Sequence, residues 1–223
     1  MNVWVVVPAY NEEKNLKMLL EQLTKKPLSI LVVDDGSKDE TFKIAKANST
    51  HVLRNDKNLG KGFSLKRGIK FLFENKDFDY IITMDADNQH SPSDIDSFLK
   101  EAVNGEAFVI GNRMNKPLNM PQIRVLTNKF MSWLISKIIK RHVPDTQCGF
   151  RLIRKDVLKK IYIETHKFEI ESEILIKAAK SNFPIKSIPI KSIYLKNQVS
   201  KIHPFLDTIR FIRFILKLKD DRA

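Results

Sequence analysis

Apolar residues in the first half of the chain come in short unbroken runs, and each run is followed by a stretch with helical spacing. VWVVVP (Val3–Pro8) is continuous and β-branched, which predicts a strand buried on both faces and ended by Pro8. The next segment repeats Leu16, Leu19, Leu20 and Leu23 on one helical face. SILVVDDGS predicts a second strand, Thr41–Ala47 a short helix that Asp39 and Glu40 open, and HVLRN a third strand. GKGFSLKRGIKFLFEN predicts a helix, YIITMDAD a fourth strand and SPSDIDSFLKEAV a helix with Ser91 as cap and Pro92 in its first turn. AFVIGNR predicts a fifth strand. This alternation predicts an α/β fold with a mostly parallel sheet flanked by helices.

The second half is less regular. IRVLTNKFMSWLISKIIKR predicts an amphipathic helix with Lys129, Ser132, Ser136 and Lys140 as its polar stripe and Phe130, Trp133, Leu134, Ile138 and Ile139 as apolar positions. DTQCGFRLIRKDVLKKI predicts loop, strand and short helix, and EIESEILIKAAKSN a further helix. FPIKSIPIKSIYL alternates like an edge strand and carries two prolines. HPFLDTIRFIRFILKLK predicts a terminal amphipathic helix with Arg210, Arg213 and Lys217 on one side. With no linker or repeat, the expected organisation is one domain over 1–202 with a helical extension over 203–223.

Composition narrows the class. With 223 residues, 43% of them hydrophobic, the chain can bury one sizeable core. Charged residues reach 29% and no run attains the roughly 18 apolar residues of a membrane span. The N-terminus has neither a basic leader nor a small-residue cleavage site, and the lone Cys148 fits a reducing compartment, so a cytoplasmic location is expected. A net charge of +13 points to anionic partners: nucleic acid, an anionic membrane or phosphorylated substrates. Nucleic acid is the weakest of these, because the strand ends carry acids that would repel it.

Those acids are the candidate chemistry. Ligands of parallel α/β sheets sit beyond the carboxyl ends of the strands. Here those ends read PAYNE, DDGS, DAD and GNR. On a strand, Asp85 and Asp87 would point the same way, and two carboxylates suit Mg²⁺ or Mn²⁺ completed by phosphate oxygens, with the Gln89 amide as a third protein ligand. Asp34 and Asp35 are placed to accept from a nucleobase or ribose. NLGKG allows close backbone approach to a phosphate at a helix N-terminus, with Lys61 adding charge. None of the five histidines shows metal-ligand spacing, and His90 is expected as a hydrogen-bonding loop residue.

In order and spacing, VPAYNEE, VVDDGSKDET, NLGKG, MDADNQH and GNR resemble the inverting family 2 nucleotide-sugar glycosyltransferases of GT-A (Rossmann-like) fold, over roughly residues 3–200. DADNQHSPSDI is similar to dolichol-phosphate mannose synthases, whereas DTQCGFRL looks more like dolichol-phosphate glucosyltransferases. The resemblance implies transfer of a hexose from GDP-mannose or UDP-glucose to a polyprenyl phosphate. It places Pro8, Ala9, Tyr10, Glu12, Asp34, Asp35, Lys61, Asp85, Ala86 and Asp87 on the nucleotide sugar, and a divalent metal on Asp85, Asp87 and Gln89. Arg113 and Arg124 would meet phosphate, and Lys201 would lie on a basic loop over the donor. Some relatives continue into transmembrane helices. Here peripheral membrane contact is expected, directly through amphipathic helices or through a membrane partner protein. A hydroxyl acceptor would instead need a base, for which Asp145 is the candidate.

Overall fold

The computed structural model describes residues 1–117, 120–165, 169–191 and 193. In chain order the elements are β1 (Val3–Ala9), α1 (Glu13–Leu23), β2 (Ser29–Asp34), α2 (Thr41–Asn48), β3 (His51–Arg54), α3 (Lys61–Asn75) and β4 (Tyr80–Thr83). A 3₁₀ turn, Pro92–Asp94, leads into α4 (Ile95–Val103) and β5 (Phe108–Asn112). Then come α5 (Gln122–Ile139), β6 (Arg151–Arg154), α6 (Lys155–Lys160), α7 (Glu169–Lys180) and β7 (Ile185–Pro189). Lys201 and the predicted helix of 203–223 lie outside the described residues.

The seven strands form one sheet in the order β3-β2-β1-β4-β6-β5-β7. All pairings are parallel except the two made by β6, which runs against β4 and β5. Val3–Val7, Ile30–Val33 and Ile81–Ile82 are fully or almost fully buried, so both sheet faces are covered, as the unbroken apolar runs require. β7 is the expected edge strand. Chain order reverses around β1, with β2 and β3 on one side and β4 on the other. The crevice of the fold therefore opens between the C-terminal ends of β1 and β4. Because β6 is reversed, the loop before it, Asp145–Phe150, arrives at that same rim.

Four local expectations are corrected. Pro8 does not end β1, which continues through Ala9. The Val6 carbonyl accepts from Met84 N, beyond the end of β4, and Pro8 lies two residues on, facing the same side. Its missing N–H therefore deprives no strand of a ladder bond. β4 stops at Thr83, so Asp85 and Asp87 stand on a turn, not on a strand, with Asn88 at φ 58°. Ser91 gives no side-chain cap, its hydroxyl pairing with Ser93 instead. Finally, the serines of α5 face inward, not outward: Ser132 is buried with Ile135 and Ile139.

The loop between β2 and α2 meets the loop between β3 and α3 at Gly36, which has φ 73°. A Cβ there would stand 2.6 Å from the Lys57 carbonyl carbon and 2.7 Å from its Cα. Both atoms are backbone, and the left-handed φ disfavours any side chain. Gly36→Ala is expected to cost about 2–3 kcal/mol by denaturant melts; wild-type stability would show that the two loops are not in contact.

Candidate active site

At the β4 end, the Lys61 ammonium lies 2.5 Å from Asp85 Oδ1 and 2.8 Å from Glu171 Oε1. Lys61 opens α3, Asp85 follows β4 and Glu171 lies in the first turn of α7, so three elements converge on one buried cation. Burial alone would lower the Lys61 pKa, but the charges of Asp85 and Glu171 outweigh it and raise the value. Burial likewise opposes ionisation of Asp85, and the Lys61 charge overcomes it to hold that carboxyl below the usual range. Asp87 is the opposite case. Burial, followed by the charge of Asp85, pushes its carboxyl up to about 6. Its Oδ1 accepts from the Gln89 backbone N–H at 3.1 Å, a contact that leaves the Gln89 amide uninvolved.

Lys61 is shared by Asp85 and Glu171, and Asp87 keeps a raised pKa beside Asp85. Two neighbouring carboxylates suit a hard divalent cation. Among the described residues no group of three or more His, Cys, Asp or Glu could hold a metal, so two carboxylates would have to be completed by oxygens of a substrate.

At the β2 end both acids are occupied. Asp35 accepts from Asn55 Nδ2 at 2.7 Å and from the N–H groups of Leu59 and Gly60 at 3.0 and 2.8 Å. Those loop donors, expected to approach a phosphate, are spent on the carboxylate. Asp34 is fully buried, accepts from Ser37 N at 3.2 Å and lies 3.2 Å from Arg54 Nε. Asp39 fulfils its expected capping role, accepting from Thr41 N and Glu13 N. Beside these loops opens a cavity of about 960 Å³, walled by Tyr10, Ser37, Phe42, Arg54 and Lys57 among others. Asp85 and Asp87 are not in its wall, and Tyr10 is the residue from the β1 end that reaches it. The cationic lining from β3 and the loop after it escaped sequence reasoning, because HVLRNDK reads as an ordinary strand and turn.

At the β5 end, Asp145 is fully buried and takes three bonds from Arg113: Nε at 2.7 Å, Nη2 at 2.9 Å and backbone N at 3.1 Å. The loop bearing Asp145 is fixed by the serines of α5. Ser132 Oγ accepts from Thr146 N and Ser136 Oγ from Val143 N. Buried Arg151 adds bonds to the carbonyls of Thr146 and Cys148, both at 2.8 Å, and to that of Glu171.

The glycosyl transferase family 2 profile matches residues 4–162. The chain belongs to that family. It is 31% identical over 223 residues to a UDP-N-acetylglucosamine–dolichyl-phosphate N-acetylglucosaminyltransferase of Methanococcus voltae, covering 89% of this chain and 88% of that one. It is 33% identical over 194 residues to a dolichol-phosphate mannosyltransferase of Pyrococcus furiosus, covering 81% of this chain and 54% of the longer relative. Its fold matches glucosyl-3-phosphoglycerate synthase of Mycobacterium tuberculosis with a TM-score of 0.73 at 17% identity, covering 97% of this chain and 80% of that one. A complex of that enzyme with Mn²⁺, UDP and phosphoglyceric acid matches with a TM-score of 0.72, again at 17% identity, covering 97% and 78%.

Within this family 2 transferase, the predicted residues divide by position. Pro8, Ala9, Tyr10 and Glu12 follow one another at the β1 end, where Glu12 N donates to Thr41 Oγ1 at 2.7 Å. Ala86 is buried between the two acids in sequence. Arg124 stands in the first turn of α5, away from the strand ends in sequence. His90 is a hydrogen-bonder, as expected, but a buried one: its Nε2 pairs with Cys148 Sγ at 3.8 Å. The ring packs against Phe150, its Nδ1 has no hydrogen-bond partner among the described residues, and burial lowers its pKa to about 4. Glu171 was missed, because an acid in the first turn of a helix reads as a favourable helix-dipole residue and nothing local names its partner.

Proposed function

We propose that the transferase moves a sugar from a nucleoside diphosphate to the phosphate of a polyprenyl lipid, with a divalent cation at Asp85 and Asp87. The observation that carries this reading is the Arg113–Asp145 pair. A hydroxyl acceptor needs a base, and Asp145 has both oxygens committed to a guanidinium. A phosphate acceptor is already ionised near neutral pH and needs a positive group to orient it. Arg113 supplies that at the β5 end, held rigidly by Asp145.

The rest of the site supports the donor half. A cation held by Asp85 and Asp87 would stabilise charge developing on the departing diphosphate. The relatives named for dolichyl-phosphate transfer support the acceptor class, and the Mn²⁺ and UDP of the structural neighbour support the cation. Tyr10 and the cavity beside it are the place for the nucleoside, with Arg54 and Lys57 as the neighbouring charges. Labelled GDP-mannose, UDP-glucose or UDP-N-acetylglucosamine, incubated with dolichyl phosphate and Mn²⁺, is expected to give a labelled lipid cleaved by mild acid. No lipid product from any of the three would overturn the reading.

A lipid acceptor also calls for a membrane surface. No helix among the described residues is long and apolar enough to cross a membrane. On α5, however, Ile123, Leu126, Phe130 and Trp133 are 69%, 67%, 53% and 56% exposed, in one stripe at helical spacing. The helix carries Arg124, Lys129 and Lys137 and no acid. This pattern suits a helix lying at the interface of an anionic bilayer. Phe130→Glu/Trp133→Glu is expected to cut co-sedimentation with phosphatidylglycerol vesicles at least tenfold without changing the melting temperature by more than a few degrees. Undiminished binding would remove this helix from the membrane contact.

A further inference from the structure

We infer that Glu171 is a positioning residue that takes over the Lys61 ammonium when a cation binds Asp85. The inference rests on reading Asp85 and Asp87 as the metal carboxylates.

Lys61 Nζ sits 2.5 Å from Asp85 Oδ1 and would compete with an incoming cation for that oxygen. The ammonium is buried, with its side chain 17% exposed, so it cannot retreat freely to water. Glu171 offers the alternative. Its Oε1 lies 2.8 Å from Nζ, so Lys61 is already shared between two carboxylates, and this buried oxygen accepts from no other donor among the described residues. A second carboxylate thus stands beside the cation that must move. A small swing of Lys61 toward Glu171 would free Asp85 Oδ1, with both charges still compensated.

The surroundings hold this trio in place. Arg151, anchored to the Thr146 and Cys148 carbonyls, also donates to the Glu171 carbonyl and so fixes the first turn of α7. Gly149 closes the other side: a Cβ there would stand 2.7 Å from Glu171 Oε1, 2.8 Å from Asp85 Oδ2 and 3.0 Å from Lys61 Nζ. Thr83 Oγ1 donates to the Gly149 carbonyl at 2.7 Å and keeps that backbone against the three charges.

The test is Mn²⁺ binding, followed by the electron paramagnetic resonance signal of the free ion, with UDP and separately with GDP present. Glu171→Gln is expected to weaken Mn²⁺ binding about tenfold or more. Glu171→Asp, which keeps the charge, should recover most of the affinity. In a Lys61→Met background the Glu171→Gln change should no longer weaken binding, because no ammonium remains to be shared. Should Glu171→Gln fail to fold by circular dichroism, Glu171→Asp carries the test, with an affinity between wild type and a tenfold loss expected. Wild-type protein that binds no Mn²⁺ with either nucleotide would overturn the metal reading itself. Wild-type binding with unchanged affinity in the Glu171 variants, or an equal loss with and without Lys61, would overturn the role of Glu171 alone.

Discussion

Asp87→Asn is expected to abolish sugar transfer, by about 10³-fold or more in kcat/KM, and at the same time to stabilise the metal-free protein at pH 7. Both effects come from one conflict: under the proposed function Asp87 must ionise, and it stands in a place that resists ionisation. Burial and the neighbouring charge of Asp85 raise its carboxyl from 3.8 to about 6. Each unit is worth about 1.4 kcal/mol, which sets a ceiling near 3 kcal/mol. Asp87 is only partly shielded from water, so on the order of 1–2 kcal/mol is expected. The sign follows from linkage. A raised native pKa contributes stability that is complete below the unfolded value and is lost as pH rises through about 6. The asparagine variant should therefore melt a few degrees above metal-free wild type at pH 7, and the gap should close as pH falls toward 4. A variant less stable than wild type at pH 7 would show that Asp87 is a structural acid.

Asp145→Ala should have the largest effect on stability. It strands the Arg113 guanidinium in a pocket where the residue is 7% exposed and its three bonds to the carboxylate vanish. Removing one partner of a buried pair costs about 3–5 kcal/mol, whereas replacing both with apolar groups is often close to neutral. Arg113→Met/Asp145→Leu should thus regain most of the melting temperature lost by the single variant. It should regain no transfer, since the cation proposed to orient the acceptor is gone. Activity in that double variant would remove Arg113 from the acceptor site.

The sheet was legible because β1, β2 and β4 are unbroken apolar runs, and a strand buried on both faces has no other pattern. The ends of those runs marked the rim. Direction was less legible. β6 is four residues long, and nothing in RLIR distinguishes a strand running against its neighbours from one running with them. The turn at 85–88 reads as strand in the sequence because alternation at 2.0 residues and a tight turn can both bring acids two apart to one side. Ser132 and Ser136 read as a wet stripe because serine says nothing of whether water or a buried loop N–H will bond it. The occupation of Asp34, Asp35 and Asp145 was hidden for the same reason. Their partners Arg54, Leu59, Gly60 and Arg113 are set by the fold, not by neighbours in the chain. The sequence located the acids, and the structure divides them into those spent on holding loops and those gathered around Lys61 at the β4 end.

The central claim is that the β5 end presents a fixed cation to an ionised phosphate instead of a base to a hydroxyl. The most direct measurement offers purified transferase, one labelled nucleotide sugar and Mn²⁺ three acceptors in parallel: dolichyl phosphate, dolichol and a free saccharide. Label in the dolichyl phosphate product alone, with little change in rate between pH 7 and pH 8.5, is the predicted result. Label on dolichol or on the saccharide at a comparable rate would contradict it.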